Sequence, residues 1–206
     1  MTEPVNKKMI LATGGARSGK SRFAEQYAGE LDSASDGSAI YIATAQLWDQ
    51  EMRERAELHR RRRPPQWLTI EEPYALENEI RRLSMSTEAV SVVLIDCLTL
   101  WLSNLLLKPD ETGEELWESH DHREGILRRV EELALLLKQA PFSSVVVTNE
   151  VGDSLVPDYP LGRVFRDLAG QSNQLLAEQA DEVFLVVCGM PVNLREAAWR
   201  PAGGSR

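Results

Sequence analysis

Between Gly14 and Ser21 the chain reads Gly-Gly-Ala-Arg-Ser-Gly-Lys-Ser, and no other stretch restricts the fold so narrowly. Gly14 and Gly19 are separated by four residues and followed by Lys20 and Ser21, which completes the P-loop pattern. Such a loop turns backbone N–H groups inward around a polyphosphate. The lysine reaches the outer phosphates, and the serine hydroxyl takes one position on Mg²⁺. Context separates this from a glycine-rich turn without a ligand. Met9-Ile10-Leu11-Ala12 reads as a short buried strand entering the loop. Ser21 to Leu31 reads as a helix leaving it, with Phe23, Ala24, Tyr27, Ala28 and Leu31 at helical spacing. That helix aims its N-terminus at the anion. The expectation is a nucleoside triphosphate site.

At 206 residues the chain is expected to form one domain, 9–195, between a polar N-terminal extension, 1–8, and a C-terminal tail, 196–206. A net charge of −9 argues against nucleic acid as a partner, because a phosphate backbone calls for a basic surface. Two cysteines, Cys97 and Cys188, suit a reducing cytoplasm. Each follows an apolar run, so both are expected to be small core residues. The polar residues 1–8 run straight into the first strand and do not read as a leader. Ala89 to Leu107 approaches membrane-spanning length. It carries Asp96 at its middle with Ser91, Thr99, Ser103 and Asn104 around it, which predicts a buried strand and a helix. No stable membrane insertion is expected.

Apolar runs alternate with amphipathic ones along the rest of the chain. Ala39 to Ala43 predicts a second strand, with Thr44, Ala45 and Gln46 at its C-terminal end, the edge where open α/β sheets gather ligands. A helix is expected from about Asp49 to Arg62, with Trp48, Met52, Ala56 and His59 on one face and Pro64-Pro65 ending it. Trp67 to Ile70 reads as a short strand, and Pro73 to Leu83 as a helix. Val90 to Ile95 reads as a central strand ending in Asp96. Helices are predicted over Leu98–Leu107, Glu114–Gln139 and Gly162–Ala180, with strands at Ser144–Thr148 and Val183–Val187. A turn and an edge strand are expected over Gly189–Leu194. Together these predict an α/β P-loop NTPase of the RecA-like kind, with a mainly parallel central sheet flanked by helices.

Two features point to chemistry. A strand ending in Asp96 supplies the second half of the P-loop pattern, the carboxylate that holds Mg²⁺. Arg17, inside the loop, reads equally as a phosphate contact or a solvent-facing arginine. His59 stands beside Arg60, Arg61, Arg62 and Arg63, four adjacent cations in an acidic chain. One reading is a histidine on a half-apolar helix face followed by a solvated basic turn. The other is a nucleophile with a phosphate clamp, its imidazole kept neutral by the neighbouring cations. His120 and His122 sit in a polar stretch and read as surface residues. Glu71, Glu72 and Glu150 are candidate site carboxylates because each closely follows a predicted strand.

The chain closely resembles the bifunctional adenosylcobinamide kinase/adenosylcobinamide-phosphate guanylyltransferase family of cobalamin biosynthesis. The resemblance runs from Met9 to about Leu194. It is carried by Thr13 to Arg22, Tyr41 to Ala45, Asp49 to Met52 with Arg55, His59-Arg60, Arg63-Pro64, Trp67, Glu71, Asp96 to Thr99, Thr148 to Gly152, Pro157, and Phe165 to Gly170 with Asn173-Gln174. It implies phosphorylation of adenosylcobinamide by ATP or GTP, then transfer of GMP from GTP through a covalent GMP adduct on His59. It implies Lys20 as the second catalytic residue and Ser21 and Asp96 as holders of Mg²⁺. Nucleotide contacts are implied from Thr13, Gly14, Gly15, Ala16, Arg17, Ser18, Gly19 and Lys20. More are implied from Ala43, Thr44, Ala45, Arg60, Arg61, Arg62, Arg63, Glu71 and Asp96. A homo-oligomer, a trimer, is implied as well. Two rival expectations are a small-molecule P-loop kinase without nucleotidyl transfer and a RecA-like nucleotide-driven switch.

Overall fold

The computed structural model describes residues 7–46, 63–153 and 155–199. Seven strands form one sheet in the order β3-β2-β4-β5-β1-β6-β7. They are β1 (Met9–Thr13), β2 (Ser38–Ala43), β3 (Leu68–Glu71), β4 (Val90–Asp96), β5 (Ser143–Val147), β6 (Glu182–Val187) and β7 (Met190–Asn193). All neighbours pair in parallel except β6 and β7, the antiparallel edge. One strand, β5, separates the P-loop strand β1 from the Asp96 strand β4, the RecA-like arrangement.

The unbroken apolar runs are explained by cover on both faces. Successive residues of β1 point to opposite sides: Met9 and Leu11 join one core, Ile10 and Ala12 the other. The larger core receives four helices, α2 (Leu76–Ser84), α3 (Leu98–Leu106), α4 (His120–Gln139) and α5 (Pro160–Gln179). The smaller lies under α1 (Lys20–Ser33), which presents only Ala24 and Ala28 fully buried against β1, β4 and β5. Small residues there let the helix axis lie close to the sheet. Among the described residues no helix is long and apolar enough to cross a membrane.

Several boundaries depart from expectation. The helix predicted from Glu114 begins at His120, because Asp110 Oδ1 captures the N–H groups of Thr112 (2.8 Å) and Glu114 (2.9 Å) in a turn. Ser119 then caps the helix, accepting from His122 N at 3.3 Å. The helix expected from Pro73 starts at Leu76, since Glu72 Oε1 holds the N–H groups of Tyr74 and Ala75 (2.9 and 2.7 Å). α5 starts at Pro160, where the missing N–H loses nothing. A one-turn helix, α6 (Leu194–Ala197), was not expected. Cys97 is buried as expected, but Cys188 is exposed. It occupies the β6–β7 turn with φ 53°, so the apolar run before it ends one residue too early to enclose it. His122 is half-buried rather than on the surface, its Nε2 3.2 Å from Leu105 O.

The helix expected over 49–62, with His59, Arg60, Arg61 and Arg62, lies outside the described residues.

Candidate functional site

The loop from Gly14 to Gly19 leaves the C-terminal end of β1 and delivers the chain into α1. Two of its glycines are required by space as well as by backbone angle. At Gly14 (φ 153°) a Cβ would lie 2.5 Å from Val186 O. At Gly19 (φ 97°) it would lie 3.1 Å from Gly189 Cα. The β6–β7 turn therefore braces the loop from outside, and Gly189 N donates to Ser18 O at 2.8 Å. Lys20, only 8% exposed, reaches back across the loop and donates to Gly15 O at 3.0 Å. Burial pulls its ammonium below the ordinary lysine pKa, and the Asp96 carboxylate works against that pull. No side chain caps the N-terminus of α1, so the first N–H groups of the helix have no side-chain acceptor.

Asp96 closes β4, and register puts it beside Ala43 of β2 and Val147 of β5. Ala43 in turn pairs with Glu71, the last residue of β3. Glu71, Ala43 and Asp96 thus stand side by side across three strand ends. Tyr41 Oη donates to Asp96 Oδ2 at 3.1 Å. Cys97, next in the chain, has its thiol pushed up to about 12, first by burial and then by Asp96, so it stays an inert neutral thiol. Thr44 is fully buried. Its hydroxyl donates to Cys97 O (2.7 Å) and accepts from Cys97 N (2.9 Å), and its own N–H donates to Asp96 O (3.3 Å). Those bonds make it a brace for the Asp96 turn. Ala45 follows, half-buried. Arg63 stacks on the Tyr41 ring, with Cζ 3.6 Å from the centroid.

Of the candidate glutamates, Glu150 belongs to the site and Glu72 to the turn before α2. Glu150 N donates to Gly14 O at 3.1 Å, and Glu150 Oε1 accepts from Thr13 Oγ1 (2.6 Å) and Asn173 Nδ2 (3.1 Å). The network continues through Thr148 Oγ1 to Asn173 Oδ1 (2.7 Å) and from Asn149 N to Thr99 Oγ1 (2.9 Å). Neutral hydroxyls and amides thereby tie the base of the phosphate loop to the helix that follows Asp96. Sequence reasoning missed Asn173, Thr99 and Tyr41 as members of this site. The legible signal was Asn173 itself, a polar residue among the buried positions of α5, where an unpaired amide costs about 1–3 kcal/mol.

No group of three or more His, Cys, Asp or Glu residues fit to hold a metal occurs among the described residues. Mg²⁺ needs no such cluster, since it takes one or two carboxylates and completes its shell with phosphate oxygens and water. Asp96 and Ser21 suit that pattern.

A strand, a glycine loop wrapped around a buried lysine, and a carboxylate on the far side of one intervening strand define a P-loop nucleotide-binding domain of the phosphoryl-transfer kind. A family model described as cobinamide kinase / cobinamide phosphate guanyltransferase matches residues 10–194, and the chain belongs to that family. It is 41% identical over 189 residues to the bifunctional adenosylcobalamin biosynthesis protein CobU of Escherichia coli, covering 91% of this chain and 99% of that one. It is 40% identical over 188 residues to the protein of the same name in Salmonella typhimurium, covering 91% and 99%. Bifunctional adenosylcobalamin biosynthesis protein CobP of Pseudomonas aeruginosa is 42% identical over 186 residues, covering 90% and 96%. A solved ATPase domain overlaps 87% of this chain and 69% of its own at 12% identity, with a TM-score of 0.49. The family description carries both a kinase and a guanyltransferase, which neither a plain P-loop kinase nor a nucleotide-driven switch provides.

Proposed function

We propose that the chain phosphorylates adenosylcobinamide with ATP or GTP and then transfers GMP from GTP to the product, giving adenosyl-GDP-cobinamide. The observation that carries the reading is the buried Lys20 ammonium at the mouth of the P-loop, with Asp96 close enough to oppose its desolvation. A lysine held there at an electrostatic cost is suited to receiving a polyphosphate. Thr13 to Lys20 hold the phosphates, with Ala43 to Ala45, Arg60 to Arg63, Glu71 and Asp96 as the remaining nucleotide contacts.

In the first half-reaction the aminopropanol hydroxyl of the corrinoid forms a bond to the γ-phosphorus as the β–γ bridging bond breaks; the nucleoside diphosphate leaves and the hydroxyl proton passes to solvent. Lys20 and the N–H groups of the loop and of α1 balance the charge that develops on the phosphoryl oxygens. Ser21 and Asp96 would hold Mg²⁺, which when bound neutralises phosphate charge. In the second half-reaction an imidazole nitrogen of His59 bonds to the α-phosphorus of GTP and pyrophosphate leaves. A phosphate oxygen of cobinamide phosphate then bonds to that phosphorus as the P–N bond breaks, returning a free imidazole. Arg60 to Arg63 hold the phosphates during both steps. We place the enzyme in the cytoplasm as a homo-oligomer, a trimer by family resemblance.

Incubation with α-labelled GTP tests this without corrinoid. Wild-type protein is expected to retain label after denaturation, to release pyrophosphate, and to lose the label in acid but not in alkali. His59→Ala takes up none, whereas His120→Ala and His122→Ala label normally. Stoichiometric labelling of His59→Ala would remove the histidine from the mechanism.

A further inference from the structure

The Tyr41 side chain touches both the Asp96 carboxylate and Arg63, the last of the arginine run that follows His59. It is nearly fully buried on β2, facing the smaller core under α1, and pairs across the sheet with Leu94 of β4 and Thr69 of β3. Asp96 lies two residues beyond Leu94, so the pleat points it to the same face, within reach of the Tyr41 hydroxyl. The Oη–Oδ2 distance is 3.1 Å. The other partner, Thr69, accepts from Arg63 Nη1 at 3.1 Å, and the same guanidinium lies over the Tyr41 ring at 3.6 Å. Arg63 is thus seated on a cross-strand Tyr–Thr pair, held by a cation–π contact and a hydrogen bond.

We propose that Tyr41 is a positioning residue for both half-reactions: its hydroxyl orients the Asp96 carboxylate, and its ring seats the Arg63 guanidinium. The inference rests on the functional reading above. The chemistry of the phenol suits the first task. A phenol has one O–H to donate, and its oxygen lies 3.1 Å from Asp96 Oδ2 on the same face of the sheet. The ring suits the second, since the face of an aromatic attracts a guanidinium whether or not a hydroxyl is present. Removing the hydroxyl and removing the ring should therefore have separable effects.

The experiment compares Tyr41→Phe with Tyr41→Leu. The first readout is the Mg²⁺ concentration at which a non-hydrolysable GTP analogue raises the thermal midpoint. Both variants are expected to need about tenfold more Mg²⁺ than wild type, the usual scale for losing a partner of a metal-holding carboxylate. The second is label uptake from α-labelled GTP at saturating Mg²⁺, where the phenylalanine rescues and Tyr41→Leu falls at least tenfold below it. The third is tryptic cleavage after Arg60, Arg61 and Arg62 in the folded protein, expected to be at least threefold faster in Tyr41→Leu than in Tyr41→Phe. Should Tyr41→Leu fail to fold, Arg63→Met breaks the same contact from the other side and must show the same accelerated cleavage.

A wild-type Mg²⁺ midpoint in Tyr41→Phe overturns the role of the hydroxyl. Equal labelling and equal cleavage in the two variants overturn the role of the ring. If wild-type protein takes no label, the guanylylation reading falls instead, and the Mg²⁺ and cleavage readouts still decide what Tyr41 does.

Discussion

The two edges of the sheet handle charge in opposite ways. At the N-terminal edge of the strands, charges meet charges. Lys8 Nζ donates to Glu182 Oε1 at 2.7 Å while the Tyr27 hydroxyl donates to Glu182 Oε2, and Asp181 accepts from Lys138 and from Met9 N. At the C-terminal edge, hydroxyls, amides and backbone groups brace the chain around Lys20 and Asp96. Downward pKa shifts occur at both edges with contrary meanings. Burial works to raise Glu182 and Asp181, yet hydrogen bonds from Lys8 and Tyr27, and from Lys138 and Met9, prevail and hold both carboxylates below their ordinary values. Their ionised forms are stabilised by folding. Burial lowers Lys20, so its ionised form is destabilised by folding. One edge lends stability to the fold; the other holds a charge that a polyphosphate would stabilise.

Lys20→Ala tests that contrast with the largest expected effect. Phosphorylation of adenosylcobinamide should fall by roughly a hundred- to a thousandfold, the scale for one preorganised charge-stabilising group. Stability should change by less than about 1 kcal/mol in the urea midpoint, because the group removed was a desolvated charge. Strong destabilisation with activity retained would make Lys20 a structural residue and erase the difference between the edges.

Asn173→Leu comes next. Glu150, Thr148 Oγ1 and Asn149 O would each lose a partner. Leaving buried polar groups unpaired should cost about 2–4 kcal/mol of stability. Because Glu150 also bonds Thr13 and Gly14, nucleotide affinity should fall with it, measured by calorimetric titration with a GTP analogue. Loss of stability with unchanged affinity would show that the network supports the fold alone.

How much of this was legible depends on whether the determinant is local. β1, β4 and β5 were visible as nearly continuous apolar runs because both faces of each are covered. The phosphate loop was visible because its glycines encode backbone angles and close approach, at Gly14 and Gly19 above all. The position of β5 between β1 and β4 was not, since pairing order leaves no trace in either strand alone. Trp117, inside the helix predicted from Glu114, lies outside the helix that forms. Its spacing fits the inner stripe of α4, and it does pack against the core, but from the turn before the Ser119 cap. Asn173 shows the remaining kind: an amide among the buried positions of α5 calls for partners without naming them. Tyr41 gave no such sign, because an aromatic residue in a strand is ordinary core.

Glu182→Gln carries the smallest expected effect and sharpens the comparison from the other side. The amide keeps an acceptor for Lys8 or Tyr27 and loses the charge, at a site where both partners are only half-buried and the ion pair is screened. At neutral pH stability should fall by no more than about 1 kcal/mol, and kinase and labelling rates should match wild type, since the residue sits at the edge away from the P-loop. The informative readout is the pH profile. A carboxylate whose folded pKa lies below its unfolded value near 4.3 contributes fully above that value and loses its contribution as pH falls through the folded one. The urea midpoint of the wild type should therefore drop more steeply between about pH 5 and pH 3 than that of Glu182→Gln, the two curves converging in acid. Parallel curves over that range would mean that Glu182 is held no more strongly as an anion in the folded chain than in the unfolded one, and the N-terminal edge would lose its distinction from the other.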